Sequence, residues 1–267
     1  MITKEIEAKS IITESNLPES DYVINPYVGC CHSCIYCYAC FMKRFTNHEE
    51  EWGQFVDVKI NSPKLIPNSD KKYKGKSFFI SSVTDPYLQL EGKYKLTRQI
   101  LEKLIDWDIK IGIQTKSDLV LRDLDIIKKL KNCEVGLTIT TTDDNLRKEI
   151  EPFTTSIENR MAALKELKKN GIRTYVFIGP IMPYFCDWKN IVNMTKDYVD
   201  FYYFENLNVK GSIWFSIEKW LKNKHPEYLK KYIEIYDTEN NYWINIKNEI
   251  EKFCFENKIK GRVYFHK

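Results

Sequence analysis

The chain has 267 residues, of which 43% are hydrophobic and 14% aromatic, which is enough apolar material for one large domain or a domain with an appendage. This composition excludes an intrinsically disordered protein. The net charge of +4 implies no strong general attraction to nucleic acid or to anionic lipid, although it is compatible with a local basic groove.

The N-terminal segment MITKEIEAKSIITESN has no apolar run of the signal-peptide type, and no stretch approaches the roughly 18 apolar residues that a membrane span needs. We therefore expect a cytoplasmic protein without membrane attachment. Five of the eight cysteines lie between Cys30 and Cys40. Because they are too crowded for ordinary disulfides, they indicate a metal site.

Taken in chain order, the predicted elements begin with a strand at residues 22–27 that leads directly into the cysteines. Residues 47–76 are expected to form an irregular insertion with one strand at 55–60. From residue 77 onward, short apolar runs alternate with amphipathic stretches. The predicted strands are 77–83, 109–115, 134–140, 173–181 and 201–207, and the predicted helices between them are 96–107, 121–130, 157–170 and 188–198.

This alternation is typical of parallel strands joined by crossover helices. With the strand before the cysteines there are six such strands, so the sequence predicts an α/β fold, a partial (β/α)6 TIM-like barrel over residues 1–210. In such barrels the reactive groups lie in the loops that follow the strands. The cysteine loop has that position.

After Gly211 the alternation stops. Helices are predicted at 213–222, 227–236 and 243–257, followed by a strand at 262–265. We expect residues 211–267 to form an aromatic-rich, mainly helical C-terminal extension that caps the open side of the barrel.

The cysteine loop permits three interpretations. Cys30, Cys34 and Cys37 form C-x3-C-x2-C, three thiolates for a 4Fe-4S cluster with one iron left open. A second register, C-x2-C-x2-C-x2-C from Cys31 to Cys40, approaches a ferredoxin run, but it lacks the usual x3 spacing and following proline. The third interpretation is a zinc site, but structural zinc sites usually take their ligands from two separated pairs, and no second cysteine pair follows downstream. These departures favour the first register.

A family resemblance rests on several motifs in order. The cysteine loop reads N-P-Y-x-G-C-x3-C-x-Y-C-Y from Asn25 to Tyr38. Further motifs are Ser82-x-Thr84-Asp85-Pro86-Tyr87, Thr115-Lys116-Ser117 with Arg122-Asp123, Thr138-x-Thr140 to Glu151-Pro152 with Arg160, and Pro180-Ile181-Met182-Pro183. Together they resemble radical SAM enzymes, in particular the branch similar to spore photoproduct lyase, over roughly residues 22–210.

The resemblance implies that Cys30, Cys34 and Cys37 hold the cluster and that S-adenosyl-L-methionine (SAM) chelates the open iron. Reductive cleavage of SAM would then give a 5'-deoxyadenosyl radical that takes hydrogen from a substrate. The cofactor supplies this chemistry, and the protein supplies placement and exclusion of water. An external one-electron reductant such as flavodoxin or ferredoxin is implied as a partner.

The resemblance also implies SAM contacts. Thr84 would bind the methionine moiety and Lys116 its carboxylate. The other implied contacts are a ribose bond from Thr138 or Thr140, packing of Tyr36 or Tyr38 beside adenine, and a nucleoside contact from Asn206.

Two other motif residues are expected to be structural. We expect Asp85 to hold its own loop and Arg160 to form an ion pair with Glu151.

Two residues bear on the reaction itself. In spore photoproduct lyase a cysteine that returns a hydrogen atom to the product radical stands where this chain has Val83, so repair of that DNA lesion is not expected. Cys186 follows the fifth barrel strand, and we expect it near the barrel mouth as a candidate hydrogen donor or substrate contact.

The expected substrate is a macromolecule, with a peptide or protein favoured over nucleic acid because the net charge is weak, and an accessory protein is a further expected partner. Two alternatives remain. A non-catalytic iron-sulfur electron carrier would need four protein ligands, so Cys40 would be essential. A zinc-dependent nucleic-acid binding module would contain zinc and be colourless.

Overall fold

The computed structural model describes residues 1–236 and 240–266. Its strands are β1 Ile2–Ile6, β2 Ile12–Glu14, β3 Tyr22–Ile24, β4 Tyr27–Gly29, β5 Phe55–Lys59, β6 Ser77–Ile80, β7 Lys110–Thr115, β8 Cys133–Thr138, β9 Arg173–Ile181, β10 Phe201–Asn206 and β11 Gly261–Tyr264. Its α-helices are α1 Glu91–Tyr94, α2 Leu96–Lys103, α3 Leu124–Ile127, α4 Asp144–Ile150, α5 Ile157–Lys169, α6 Trp188–Thr195, α7 Ser212–Lys224, α8 Pro226–Tyr236 and α9 Tyr242–Glu256.

The main sheet has eight strands in the order β11-β10-β9-β8-β7-β6-β3-β2. From β3 to β11 every neighbouring pair is parallel, and β2 adds one antiparallel strand at the edge. Apolar residues of the helices, such as Ile100, Leu164 and Ile191, pack into the core against the sheet. The open, mostly parallel sheet confirms the predicted partial barrel, and β11 extends it beyond the six expected strands.

The predicted strand at 22–27 is in fact two strands that belong to different sheets. β3 pairs with β6 in the main sheet, whereas β4 pairs with β5 in a separate three-stranded sheet of order β1-β5-β4. Pro26 lies between them and has no N–H with which to continue a ladder. This small sheet lies directly before the cysteine loop.

The helices of the C-terminal extension pack on the cysteine loop. Ile217, Trp220 and Leu221 of α7 form one apolar cluster with Tyr36. Helix α9 packs beside the end of the main sheet, where Trp243 contacts Phe265 at 5.5 Å between ring centroids. The extension thus covers the carboxyl ends of the strands, and its last strand, β11, joins the main sheet.

The two edges of the main sheet are bridged by one acidic side chain. Glu19, in the loop between β2 and β3, accepts hydrogen bonds from the hydroxyls of Tyr203 (2.9 Å) and Tyr264 (2.6 Å). It also pairs with Arg262. Glu19 therefore spans the gap between the two edges of the sheet, together with Tyr264 and Arg262 of the C-terminal extension.

No helix within the described ranges has the length and apolar character needed to cross a membrane.

Candidate active site

One cavity of about 1160 Å³ lies along the inner face of the main sheet. It extends from Lys110, at the start of β7, to Lys116, just beyond its end. The predicted site residues that line it are Cys30, Cys34, Tyr36, Cys37, Tyr38, Thr84, Lys116, Thr138 and Asn206. Thr140 and Cys186 are not among the lining residues.

The three thiols of the C-x3-C-x2-C register are free; Cys30 is buried, and Cys34 and Cys37 are partly buried. Burial raises the pKa of Cys30 well above its usual range, raises the pKa of Cys34 to about 12, and raises the pKa of Cys37. Their thiolate charges also raise one another's pKa. Such thiols become thiolates when a metal takes the place of the proton, so their chemistry fits an iron-sulfur cluster.

A single metal ion and a 4Fe-4S cluster need different arrangements of their protein ligands. Within residues 1–236 and 240–266, no three His, Cys, Asp or Glu side chains converge as the ligands of one metal ion do. The cysteines of a 4Fe-4S cluster bind different irons and need no such convergence. Cys40 lies at the edge of this region, with its Sγ 3.3 Å from the hydroxyl of Ser212.

A buried carboxylate holds the cysteine loop in place. Glu151 accepts hydrogen bonds from the hydroxyls of Tyr36 and Thr140 and forms the predicted ion pair with Arg160 at 2.5 Å, which is confirmed. Burial opposes ionisation, but Arg160 and Lys116 lower the pKa of Glu151 to about 2. The charged carboxylate therefore fixes the tyrosine that directly precedes Cys37.

Thr140 is committed to this network. Its hydroxyl donates to Glu151 at 2.8 Å, and it is not among the residues that line the cavity, whereas Thr138 is. Of the two threonines predicted to reach the ribose, Thr138 is therefore the one that the fold brings to the cavity. Its Oγ1 lies 3.4 Å from the side-chain amide of Gln114.

Lys116 follows β7 and carries a cation into the cavity. Burial would lower its pKa, but the negative fields of Cys34, Glu151 and Asp85 raise it above the usual value. Its Nζ lies 5.6 Å from the centre of the Tyr36 ring. In the described ranges no carboxylate is within ion-pair distance of this Nζ, which leaves the ammonium available for an anion.

Asp85 organises the loop after β6, as the sequence predicted. It accepts hydrogen bonds from the hydroxyl of Thr115 (2.6 Å) and from the backbone N–H groups of Lys116 (2.8 Å) and Tyr87 (2.8 Å). Its other close neighbour is His32, at 3.5 Å. Asp85 thus connects the cysteine loop to the segment that presents Lys116.

Thr84 and Tyr38 both line the cavity, and both hydroxyls are engaged within the protein. Thr84 donates to the carbonyl of Gly29 at 2.6 Å, next to the first cysteine. The hydroxyl of Tyr38 donates to the carbonyl of Ser82. These two bonds join the cysteine loop to the end of β6, and the Thr84 oxygen can still accept a hydrogen bond.

Two further residues that the sequence predicted for the site are engaged with other parts of the fold. Both ends of the Asn206 amide bond the backbone of His266, at 3.2 Å and 2.8 Å, so this side chain clamps the end of the chain to β10. Cys186 packs against the main core, and burial raises its pKa to about 12. Cys186 is not among the residues that line the cavity, and its role as a hydrogen donor or substrate contact stays a prediction.

Sequence reasoning missed other residues around the cavity. Glu205 of β10 and His266, two residues beyond the end of β11, form a pair at 3.0 Å, and both line the cavity. Trp52, in the insertion before β5, donates its indole N–H to Cys37 Sγ at 3.2 Å. A tryptophan in an irregular segment gives no sequence signal of this kind.

Comparison with known proteins identifies the family. The family model of the Radical SAM superfamily matches residues 24–194. An uncharacterized protein of Methanocaldococcus jannaschii is 48% identical over 223 residues, which make up 84% of this chain and 83% of that protein. The chain belongs to the radical SAM superfamily.

Solved structures show the same fold. Spore photoproduct lyase in complex with a dinucleoside spore photoproduct matches with a TM-score of 0.70 and 14% identity, over 99% of this chain and 82% of that one. SuiB of Streptococcus suis, bound to the precursor peptide SuiA, matches with a TM-score of 0.59 and 15% identity, over 92% of this chain and 48% of that one. The protein is a radical SAM enzyme that uses a 4Fe-4S cluster and SAM.

Proposed function

We propose that Cys30, Cys34 and Cys37 hold the 4Fe-4S cluster and that SAM binds above it in the same cavity. The supporting observation is that these three thiols, of which Cys30 is buried and the other two are partly buried, line one cavity with the ammonium of Lys116 beside the carboxyl ends of parallel strands. Once bound, the cluster and SAM supply reductive cleavage to a 5'-deoxyadenosyl radical that abstracts hydrogen from the substrate.

The chain's own groups bind and orient SAM in this proposal. Lys116 pairs with the SAM carboxylate, and the oxygen of Thr84 accepts a hydrogen bond from its amino group. Thr138 reaches a ribose hydroxyl, and the ring of Tyr36, fixed by Glu151, packs beside SAM. Helix α7 covers the cysteine loop and excludes water from it.

The proposed substrate is a macromolecule, with peptide or protein favoured over nucleic acid. The cavity lining carries acidic as well as basic side chains, including the pairs Glu134–Arg173 and Glu19–Arg262, and does not form a continuous basic groove of the kind that phosphate recognition uses. Both kinds of ligand occur among similar folds, a dinucleoside lesion in spore photoproduct lyase and a precursor peptide in SuiB.

We also propose that the protein is cytoplasmic, because free thiols persist in that reducing compartment. An external one-electron donor would reduce the cluster.

The test of the function is SAM cleavage. Protein reconstituted anaerobically with iron and sulfide, then reduced and given SAM, should release 5'-deoxyadenosine. The Cys34→Ala variant should release none, whereas Cys254→Ala, which alters a buried cysteine outside the cavity, should match the unsubstituted protein. A reducible cluster that yields no nucleoside in the unsubstituted protein would make the chain an electron carrier.

Substrate class is tested separately by salt dependence. A nucleic-acid substrate predicts retention of single-stranded DNA or RNA with an affinity that falls steeply as salt rises, because each neutralised phosphate releases counterions. The peptide proposal predicts no such retention. Steep, salt-sensitive binding would therefore contradict the peptide assignment and leave the radical chemistry intact.

A further inference from the structure

The insertion before β5 makes a hydrogen bond to Cys37, one of the proposed cluster ligands. Trp52 donates its indole N–H to Cys37 Sγ at 3.2 Å. Among the residues that the structure describes, this is the only side-chain hydrogen bond to a sulfur of Cys30, Cys34 or Cys37. Residues 47–54, which otherwise form irregular backbone, thus present a donor to the last cysteine of the motif.

The indole is held by an aromatic stack. Its ring meets Phe55 edge-on, with centroids 5.7 Å apart, and Phe55 stacks on the ring of His48 at 3.9 Å. His48 is in turn fixed on both ring nitrogens, by Glu50 and by Asp57, each at 2.9 Å. Such a stack limits the rotamers that the indole can adopt.

A second contact locks the backbone next to Trp52 onto the cysteine loop. The hydroxyl of Ser33 donates to the carbonyl of Gly53 at 3.0 Å. Gly53 has φ +98°, and a Cβ there would lie 2.5 Å from the Ser33 oxygen. The residue after Trp52 must therefore have no side chain and a left-handed backbone conformation, because the insertion approaches the loop this closely.

We propose that Trp52 is a positioning residue that sets the reduction potential of the cluster through its hydrogen bond to Cys37. The inference rests on the proposed ligation by Cys37. A reduced cluster carries one more negative charge than the oxidised cluster, and part of that charge lies on the cysteine sulfurs. An N–H donor stabilises the more negative state more strongly, so the hydrogen bond raises the potential.

The test compares two matched substitutions in the reconstituted protein. Trp52→Phe keeps an aromatic ring against Phe55 and removes the N–H donor together with part of the ring volume. Trp107→Phe makes the same change in the main core, where the indole stacks on Tyr73. Iron and sulfide content verifies cluster loading, and a redox titration followed by electron paramagnetic resonance gives the midpoint potential.

Trp52→Phe should make one-electron reduction about tenfold less favourable, a shift of about 59 mV to more negative potential. Trp107→Phe should leave the potential unchanged. A fully loaded Trp52→Phe protein with the unsubstituted potential overturns the inference and leaves the proposed ligation standing. Failure of the unsubstituted protein to bind a cluster at the cysteines would instead overturn the ligation itself.

A second measurement needs no substitution and decides the case if Trp52→Phe does not load. Unsubstituted protein with an isotopically labelled indole nitrogen, reduced and studied by pulsed electron paramagnetic resonance, should show a nitrogen coupling to the cluster. Absence of that coupling in a loaded, reduced sample contradicts a hydrogen bond from Trp52.

Discussion

Glu151 is the residue on which the cysteine loop depends most. It lies fully buried on the segment after α4 and accepts from Tyr36, Thr140 and Arg160. The same segment also bonds the loop through backbone groups, from Phe153 N–H to the His32 carbonyl at 3.4 Å. One carboxylate therefore links the fourth strand of the barrel to the cysteine motif.

Replacing this carboxylate should destabilise the protein in a pH-dependent way. Glu151→Gln leaves the Arg160 guanidinium buried without its counter-charge, which costs about 3–5 kcal/mol. Because the folded-state pKa of Glu151 is about 2, below its usual 4.5, the contribution is present above pH 4.5 and is lost as pH falls towards 2. Urea unfolding across this pH range measures both effects.

The matched control is Glu158→Gln, which changes an exposed glutamate at the start of α5. It should leave stability nearly unchanged at every pH. Equal stability losses in the two variants would contradict the central role given to Glu151.

Lys116 should matter for SAM binding rather than for cluster assembly. Lys116→Met removes the cation proposed for the SAM carboxylate, an interaction worth about 1.5–3 kcal/mol, so SAM affinity should fall at least about tenfold while iron content stays the same. Lys110→Met, at the opposite end of the same strand and cavity, is the control. Equilibrium dialysis of SAM measures both, and equal affinities would refute the assignment.

At the scale of elements, the small sheet supports the cysteine loop from one side. β4 ends at Gly29, the residue before Cys30, and pairs there with Val56 of β5. Gly29 has φ +86°, and a Cβ on it would lie 2.4 Å from the carbonyl oxygen of Phe55. The direction in which the chain enters the loop is therefore fixed by backbone contact.

Gly29→Ala should consequently impair cluster binding. A side chain at this position meets both an unfavourable backbone conformation and the Phe55 carbonyl, so reconstituted protein should contain less iron. Gly75→Ala has a comparable positive φ of +73° with nothing within 4 Å of the added Cβ, and it should keep its full iron content. If Gly29→Ala loads iron as well as Gly75→Ala, the small sheet does not position the loop.

Much of this architecture follows from local pattern, because β9 is a largely apolar run and β7 alternates buried with less buried residues. The small sheet does not, because β1 is an exposed, polar edge strand with no periodic signal. The hydrogen bonds of Thr140 and Asn206 could not be predicted from local pattern either, because their partners, Glu151 and His266, lie 11 and 60 residues further along the chain.

At the scale of the whole molecule, the barrel remains open between β11 and β2, and the cavity extends along its interior. Glu19 crosses this gap through Tyr203, Tyr264 and Arg262. An open barrel gives a large substrate access from the side. The bridge through Glu19 holds β11, the last strand, in place.

Glu19→Ala should loosen that last strand. Loss of the hydrogen bonds from Tyr203 and Tyr264 lowers the free energy of local opening, so amide hydrogen exchange in Gly261–Tyr264 should speed up. Glu14→Ala, on the exposed edge strand β2, should not change it. Unaltered exchange at β11 in the Glu19 variant would show that the bridge contributes nothing to closing the barrel.

We propose that three cysteines, and not Cys40, hold the cluster. The most direct measurement is the iron and sulfide content and the electron paramagnetic resonance spectrum of anaerobically reconstituted Cys30→Ala, Cys34→Ala, Cys37→Ala and Cys40→Ala proteins. We predict that the first three lose the 4Fe-4S cluster and that Cys40→Ala keeps it, with a spectrum that changes when SAM is added. Loss of the cluster in Cys40→Ala, or its retention in any of the other three, would contradict ligation by Cys30, Cys34 and Cys37.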